Sequence, residues 1–403
     1  MTASADHSFA ARRAGDIRLI TGVSAAHFMS HYYMLVLPPL FAFVRQDYGV
    51  SYTELGLALT MFNAASAVLQ TPAGFMVDRI NARLLLIGGL VLQAAALAVA
   101  GLVNSYWVMV AMFALMGVGN TVYHPADYSL LSRHVAAERV SQAYSIHTFS
   151  GLLGSAAAPG TILFMHSLFG WRGAFIGAGI LGLVIAVGVL LQGDPAHDEQ
   201  PAKKKEDEKS GADWKLLLSP PILISFVFFM LLSFSNFGLQ NFSVVALGAL
   251  YGTAPSAANT ALSANLAFAA AGVLAGGWIA ARTHRHALAA ALGLLGAACV
   301  TLLLGAVDVG AVVLILVMSF SGFCTGAIMP PRDMLVREVT PPGSFGTVFG
   351  FVTNGFSLAG ILSPLIFGAL MDHGEPRLVF FVIAAGSLLA ILTVASVPRR
   401  RAD

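Results

Sequence analysis

Charged residues are scarce in this 403-residue chain. Asp, Glu, Lys and Arg make up 10% of the sequence, whereas a soluble domain usually contains about 25%. The formal net charge is only +2, and no basic segment is interleaved with aromatic residues, so nothing indicates a nucleic-acid partner. Hydrophobic residues reach 57%, which is more apolar surface than a soluble core absorbs.

Cysteine and catalytic motifs are also nearly missing. The two cysteines, Cys299 and Cys324, lie in apolar runs without C-x-x-C spacing, so we predict neither a metal site nor a disulfide there. The chain contains no nucleotide-binding loop, no zinc-protease motif and no soluble domain. We therefore predict that the protein is not an enzyme and has no cofactor.

Apolar runs of 18 residues or more, the length that crosses a bilayer, fill most of the chain. Short polar breaks separate twelve of them, so we predict an all-α membrane protein with twelve transmembrane helices. The predicted spans are residues 18–44, 53–77, 84–103, 106–131, 140–166, 172–193, 219–249, 256–281, 287–306, 309–331, 345–370 and 376–397.

The distribution of basic residues predicts the orientation of these spans. If residues 1–17 are cytoplasmic, 19 of the 22 Lys and Arg residues fall inside, and only Arg45, Arg172 and Arg377 fall outside. Basic residues concentrate in the cytoplasmic loops of membrane proteins, so we predict that both termini are cytoplasmic. The N-terminal segment lacks an A-x-A cleavage site and is predicted to be a tail, not a signal peptide.

One long polar segment divides the spans into two sets of six, and its mixture of Lys, Glu and Asp is typical of a solvated linker. The two sets repeat at an offset of 205 residues, since Gly117 aligns with Gly322 and Pro125 with Pro330. Pro125 is expected to kink its helix. We predict two pseudo-symmetric six-helix bundles with a site near the bilayer midplane between them. The predicted regions are a cytoplasmic tail (1–17), a first bundle (18–193), a cytoplasmic linker (194–218), a second bundle (219–397) and a cytoplasmic tail (398–403).

The turn after the second predicted span carries a sequence signature. It reads GFMVDRINARLL, with Gly74, Asp78, Arg79 and Arg83 at the spacing G-x3-D-R-x-G-R-R and Asn81 in place of the second glycine. In these residues the chain resembles the major facilitator superfamily. That resemblance implies the major facilitator fold, alternating access, and a latch at this motif that holds the outward-facing state. The predicted gating residues are Gly74, Asp78, Arg79, Arg83, Arg133, Asp333 and Arg337.

Within the superfamily, the chain is most similar to the fosmidomycin-resistance group of drug exporters and its uncharacterised relatives. The residues that carry this resemblance are AHFMSH (26–31), LQTPAGFMVDR (69–79), VYHPAD (122–127) and QAYSIHTFSGLLG (142–154). All of them lie in the first half, whereas the superfamily resemblance covers nearly the whole chain. The resemblance implies export, and members of the group need not share a substrate.

Ionisable residues interrupt the apolar spans of the first half. His27 and His31 share one face of the first span, His124 and Asp127 lie in the fourth, and His147 lies in the fifth. Ionisable groups in a span are costly and usually face a wet cavity, and histidine exchanges protons near neutral pH. We predict a proton pathway through these residues. For any single histidine, the alternative is a hydrogen bond that only joins two helices.

The second half offers different chemistry. At the same offset Asp127 aligns with Arg332, and Asn236 and Gln240 lie in the seventh span. Amide groups and a cation suit a small organic anion. Arg332 is expected either to bind the substrate or to pair with Asp127 or Asp333 and close the cytoplasmic gate.

These features predict a proton-coupled secondary transporter of a small organic solute, anionic or drug-like, that works as an exporting antiporter. We expect a monomer of a bacterial inner membrane whose partners are the substrate, protons and lipid, with no nucleic acid. No resident metal is predicted. The alternative is a divalent-metal exporter, because histidine and carboxylate groups are also metal ligands. Its ligands would come from His27, His31, His124, His147 and Asp127.

Overall fold

The computed structural model describes residues 2–193, 214–283, 285–341 and 344–396, in which all regular structure is helical. The predicted linker lies outside the described residues as far as residue 213, and the predicted tail 398–403 lies wholly outside them. A short 3₁₀ turn covers Pro38–Leu40. The α-helices are α1 (Thr2–Met34), α2 (Phe41–Tyr48), α3 (Tyr52–Arg79), α4 (Ala82–Leu102), α5 (Tyr106–Asn120), α6 (Tyr123–His134), α7 (Val140–Leu191), α8 (Trp214–Leu217), α9 (Pro220–Tyr251), α10 (Pro255–Arg282), α11 (His286–Ala306), α12 (Gly310–Val339), α13 (Phe345–Asp372) and α14 (Pro376–Ser396).

The predicted all-α membrane protein is confirmed. Within the described ranges, nine helical stretches are long and apolar enough to cross a bilayer. The remaining predicted spans also have helices. The second lies in α3, and the fifth and sixth both lie in α7. The first predicted span is a single helix over residues 18–44, but α1 ends at Met34 and the chain passes through the Pro38–Leu40 turn into α2, because Pro38 and Pro39 cannot continue the helix. Helices α1 and α3 are less apolar because polar side chains interrupt them. Helix α1 begins at Thr2, so most of the predicted tail is helical as well.

A sharp bend at Gly170 divides α7 into its two spans. The glycine has φ 70° and ψ 173°, a backbone conformation that is essentially restricted to glycine because a Cβ atom would clash there. Next to it, the Arg172 guanidinium lies 4.3 Å from the centre of the Trp171 ring. The turn predicted between the fifth and sixth spans is therefore present, although helical hydrogen bonding continues close to it on both sides.

The fourth predicted span is broken before Pro125. Helix α5 ends at Asn120 and α6 begins at Tyr123. Proline has no N–H, so the carbonyl of Thr121 loses the donor that a continuous helix would supply, and the ring crowds the preceding turn. The chain tightens here, and the Thr121 N–H donates to the Val118 carbonyl at 3.2 Å. The helix is thus separated at the expected position into a longer first segment, α5, and a shorter second segment, α6.

The chain packs into two compact units. Unit 1 comprises Met1–Met34, Ala65–Ser155 and Met165–Glu208, and unit 2 comprises Leu35–Ala64, Ala156–Phe164 and Lys209–Asp403. Unit 2 therefore combines the second half of the sequence with two short segments of the first. The division into two bundles of six helices stays a prediction.

Inside unit 2, one carboxylate joins the start of α3 to the end of α13. Asp372 accepts hydrogen bonds from the Tyr52 N–H at 2.7 Å, the Thr53 N–H at 2.8 Å and the Thr53 hydroxyl at 2.6 Å. The first N–H groups of a helix have no partner within that helix, so Asp372 supplies a cap from elsewhere in the chain. We call this contact the Asp372 clasp. It explains why residues 35–64 group with the second half.

Close glycine packing also organises unit 2. Gly272 and Gly276 lie on α10, and Gly322 and Gly326 lie on α12, each pair spaced by four residues. A Cβ atom on any of the four would collide with a backbone carbonyl of the facing helix. Small residues at this spacing let two helices approach closely in a membrane. The repeat-matched Gly322 therefore has a packing role.

The apolar core of unit 2 lies where α9, α11, α12, α13 and α14 meet. Phe229, Leu294, Leu335 and Val352 are among its buried members. Packing on this core fixes α9 and α12 side by side. Arg332 of α12 lies over the ring of Phe229 of α9 at this contact, as described below.

Candidate functional site

Helices α1, α6 and α7 bring three of the predicted pathway residues into contact within unit 1. Asp127 Oδ2 lies 2.9 Å from His147 Nε2 and 3.3 Å from His27 Nδ1. The exposed fractions of Asp127, His147 and His27 are 0%, 1% and 3%. A carboxylate with no water contact is therefore paired with two imidazoles from two other helices. We call His27, His31, His124, Asp127 and His147 the histidine–aspartate cluster.

His27 lies at the centre of this cluster. Its ring stacks on that of His147 with centroids 3.7 Å apart, and it meets the rings of His31 and His124 edge-on at 4.7 Å and 5.3 Å. His31 reaches away from the centre, where its Nδ1 lies 3.3 Å from the Ser155 hydroxyl. The prediction that these histidines share one region of the molecule is therefore supported for all four.

Several polar atoms of the cluster are buried and have no hydrogen bond among the described residues. They are His27 Nδ1, His147 Nδ1 and Asp127 Oδ1. Buried polar atoms without partners are rare in folded proteins and often mark functional positions. Imidazoles are also the only ion-pair partners of Asp127 in the described part of the chain. The charge of the cluster is therefore set by how many protons it holds.

Small residues on α7 make room for the imidazoles. A Cβ atom at Gly151 would lie 2.7 Å from His27 Nε2 and 2.9 Å from His31 Cδ2. Neither Gly151 nor Ser155 is among the residues predicted to form the pathway. A signal was present, because His147, Gly151 and Ser155 are spaced four residues apart and so share one face of the helix.

Tyr128 is a second neighbour that the sequence analysis missed. It follows His124 by one helical turn, and its ring lies 5.5 Å from His147 and 6.3 Å from His124. It also lines a cavity of about 530 Å³ in unit 1, together with Gly74, Arg133 and Tyr144. Tyr128 thus contacts both the histidine–aspartate cluster and a cavity that the predicted gating residue Arg133 also lines.

The spacing of the cluster also bears on metal binding. One ligand atom each from His27, Asp127 and His147 lies within 4.8 Å of the other two. The 2.9 Å distance between His147 Nε2 and Asp127 Oδ2 is that of a direct hydrogen bond. The three ligand groups suit a divalent cation chemically, but in this arrangement two of them are joined by a hydrogen bond.

In unit 2 the predicted residue Arg332 is buried beside two aromatic rings. Its guanidinium carbon lies 4.5 Å from the centre of the Phe229 ring and 5.2 Å from that of Phe356. Its Nε and Nη2 lie 2.9 Å and 2.8 Å from the same Asp333 oxygen, Oδ1. The predicted pairing with Asp333 is therefore present. We call Arg332, Asp333, Phe229 and Phe356 the arginine box.

The predicted amides are not part of this box. Asn236 and Gln240 are half-buried on α9, and Asn236 lies about 10 Å along the helix axis from Phe229. Within the described residues, neither amide hydrogen-bonds to Arg332. The predicted pairing of Arg332 with Asp127 stays a prediction, since each residue has the different partners given above.

The predicted gating residues fall into different environments. Arg83 is buried and donates from Nη2 to the carbonyls of Val189 and Leu190, at 2.6 Å and 3.0 Å, at the end of α7. Arg79 and Arg337 are exposed. At Gly74 an added Cβ atom would meet nothing within 4 Å, so no helix packs closely there in this conformation. The side chain of Asp78 lies outside the described residues.

An ion pair at the start of unit 1 was also missed. Asp16 is buried, and its Oδ2 lies 2.9 Å from Arg139 Nη2. The same oxygen accepts a hydrogen bond from the Ala136 N–H at 3.4 Å. No sequence signal identifies this pair, because Asp16 precedes the apolar run and lies far from Arg139 along the chain.

Comparison with known families identifies this architecture. The family model described as Major Facilitator Superfamily matches residues 23–245 and 227–403. The chain belongs to the major facilitator superfamily. It is therefore a multi-pass membrane protein and a transporter of organic solutes, and the prediction that it is not an enzyme is confirmed by relatives that are named as transporters.

Two curated relatives of this superfamily member come from Escherichia coli K12. The fosmidomycin resistance protein is 22% identical over 392 residues, which cover 96% of this chain and 94% of that protein. A protein named as a probable L-galactonate transporter is 26% identical over 255 residues, covering 59% of this chain. This match spans 55% of that relative's own length.

Solved transporter structures support the fold. The crystal structure of a nucleoside transporter superposes with a TM-score of 0.78 at 16% sequence identity, covering 94% of this chain and 99% of that one. At this identity, the likeness concerns the fold alone. The helical architecture of this superfamily member is therefore that of known transporters.

Proposed function

We propose that this protein is a proton-coupled transporter that exports a small organic anion as an antiporter, with the histidine–aspartate cluster as its proton site. The observation that carries the proposal is the pairing of Asp127 with His147 at 2.9 Å and with His27 at 3.3 Å, all three buried. A proton added to this cluster neutralises the Asp127 carboxylate. An isolated charge in a span is costly. The number of protons that the cluster holds therefore biases the equilibrium between the inward-facing and outward-facing states of the transporter.

The proposed anionic substrate is supported by the arginine box and by the names of two relatives. The arginine box supplies a permanent cation, because guanidinium stays protonated in proteins. The relatives' printed names include L-galactonate, a carboxylate, and fosmidomycin, a phosphonate. Both compounds are small organic anions, so they serve as probe anions for this chain.

Transport in proteoliposomes tests the proposal. The purified protein is reconstituted, and accumulation of labelled L-galactonate and fosmidomycin is measured with and without a pH gradient, with neutral L-galactose as the matched control. We expect accumulation of at least one probe anion against its gradient when protons flow the opposite way. Accumulation that ignores the pH gradient would refute the proton coupling, and accumulation of L-galactose equal to that of L-galactonate would refute the preference for anions.

Further roles follow from this proposal. The protein acts as a monomer in a bacterial inner membrane with both termini in the cytoplasm, as the basic residues predict. Gly74, Asp78, Arg79 and Arg83 form the cytoplasmic latch, and Arg133 borders the cavity beside it. Asp333 and Arg337 act at the corresponding end of α12, while Asn236 and Gln240 contact the solute further along α9.

Divalent-metal export is the second candidate function. It is favoured by the three ligand atoms of His27, Asp127 and His147 that lie within 4.8 Å of one another. Calorimetry with Zn²⁺ and Mn²⁺ separates the two candidates. Micromolar binding that is lost in both His27→Gln and His147→Gln, with uptake of metal into proteoliposomes, would support the metal and replace the anion proposal.

A further inference from the structure

We propose that Asp333 occupies the place of the substrate's acidic group on Arg332, so that an organic anion binds in unit 2 by displacing this carboxylate. The inference rests on the proposed anion transport. It assigns the residue that the anion contacts, and it assigns Asp333 as an internal competitor for that contact.

The aromatic rings fix how Arg332 can be approached. Phe229 and Phe356 lie 4.5 Å and 5.2 Å from the guanidinium carbon, and rings at this distance attract a cation to their faces. Both rings belong to helices packed on the unit 2 core, and Phe229 is itself a core residue. The guanidinium is therefore held in place before any solute arrives, with its N–H edge left for an anion.

Asp333 uses only part of that edge. Nε and Nη2 both contact one oxygen, Oδ1, at 2.9 Å and 2.8 Å, and Nη1 makes no hydrogen bond among the described residues. The side chains of adjacent residues on a helix point about 100° apart, which limits how well the Asp333 carboxylate can align with the Arg332 guanidinium. A free carboxylate or phosphonate has no such tether and can form two parallel N–H···O bonds with the guanidinium.

Arg332 is more buried than Asp333, as the replacement of Asp333 by a bound anion requires. The side chain of Arg332 is 10% exposed, whereas that of Asp333 is 43% exposed. A buried cation needs a counter-anion at all times, and Asp333 supplies it when no substrate is bound. A carboxylate that is already half in water can turn away at little cost once another anion replaces it. The negative charge beside Arg332 is then unchanged, but the bound anion supplies it instead of Asp333.

Solute binding should change in the opposite direction if the Arg332–Asp333 pair is merely structural. Removing a carboxylate that only holds Arg332 in place should weaken solute binding. Removing a competitor should strengthen it. The two explanations therefore predict changes of opposite sign for one substitution, Asp333→Asn.

The experiment measures binding of L-galactonate and of fosmidomycin to the purified full-length protein by calorimetry. We expect Asp333→Asn to bind at least one probe anion more tightly than the unmodified protein, by up to about fivefold, the range for an ion pair with a solvent-exposed partner. Arg332→Lys should bind about tenfold more weakly, because lysine cannot form the planar fork. Asp308→Asn, at an exposed carboxylate just before the same helix, is the matched control and should change nothing.

The outcomes separate this inference from the proposed function. Asp333→Asn binding that equals or falls below that of the unmodified protein for both anions would overturn the inference, even if proton-driven transport is intact. Failure of both anions in the transport assay, with tighter binding in Asp333→Asn, would overturn the proposed function and leave the inference standing. Asp333→Ser is measured alongside, so that a folding defect in one variant does not decide the result.

Discussion

The histidine–aspartate cluster of unit 1 and the arginine box of unit 2 occupy related positions in the sequence repeat, yet their charges behave differently. Asp127 and Arg332 are 205 residues apart, and both are buried on helices that carry a matched proline. Asp127 has titratable imidazoles as its ion-pair partners in the described residues, while Arg332 has an adjacent carboxylate and two phenyl rings. The first charge can be removed by a proton, and the second cannot.

Under the proposed function, this difference gives the two halves separate tasks. A site whose charge changes with proton occupancy can respond to the proton gradient, whereas a permanent cation can hold an anion at any pH. An internal repeat need not preserve chemistry at a matched position. Here it preserves the location two residues after a proline and exchanges the sign of the charge.

The largest expected effect is on Asp127. Asp127→Asn keeps the size of the side chain but removes the carboxylate that joins His147 to His27. We expect a loss of about a hundredfold or more in pH-driven accumulation, because cutting a buried, hydrogen-bonded charge pair costs about 3–5 kcal/mol. Exchange of substrate without a gradient should persist. Asp308→Asn serves as the exposed control, and equal loss in both assays would mean that Asp127 is structural.

The second prediction tests whether the two charges act together. Asp127→Arg and Arg332→Asp are each expected to reduce transport about a hundredfold or more, since each leaves an unpaired buried charge. From the partners described above, we expect the double variant to be no more active than either single one. Recovery of activity in the double variant would contradict the separation of tasks and would support the gating pair that the sequence also predicts.

The third prediction ranks the histidines within the cluster. His147→Gln should lower pH-driven accumulation more than His27→Gln, because His147 alone has hydrogen-bond geometry with Asp127, and His31→Gln should have the smallest effect. Losses of about tenfold for His147 and severalfold for His27 are expected from general acid–base and buried hydrogen-bond energies. Uptake is measured across a series of pH gradients. The same loss in all three variants would argue for packing rather than proton transfer.

The smallest expected effect concerns the space around the imidazoles. Gly151→Ala places a methyl group 2.7 Å from His27 Nε2, and overpacking of this kind costs about 1–3 kcal/mol. Gly74→Ala is the matched control because its methyl group would meet nothing within 4 Å in this conformation. Melting temperatures in detergent report the difference. A larger decrease for Gly74→Ala than for Gly151→Ala would contradict the packing described for the cluster.

Much of the fold and part of the site were predictable from the sequence. Apolar runs have one dominant solution in a bilayer, so the helices followed from length and hydropathy. The convergence of His27, Asp127 and His147 followed from the cost of polar groups in spans. Partners chosen by packing between distant segments could not be predicted. Two such contacts are that of Arg332 with Phe229 and Phe356 and that of Asp16 with Arg139. Both depend on how each helix is rotated about its own axis, which composition and spacing do not determine.

The Asp372 clasp has a consequence for how freely the sequence around it can vary. Two of its three hydrogen bonds come from the backbone N–H groups of Tyr52 and Thr53, and every residue except proline carries that group. Substitutions at either position should therefore leave most of the contact in place, while its acceptor is a single side chain. Substitutions are thus tolerated at the donor positions on α3, whereas position 372 on α13 must keep its carboxylate. That aspartate is therefore the informative position when distant relatives of this protein are aligned.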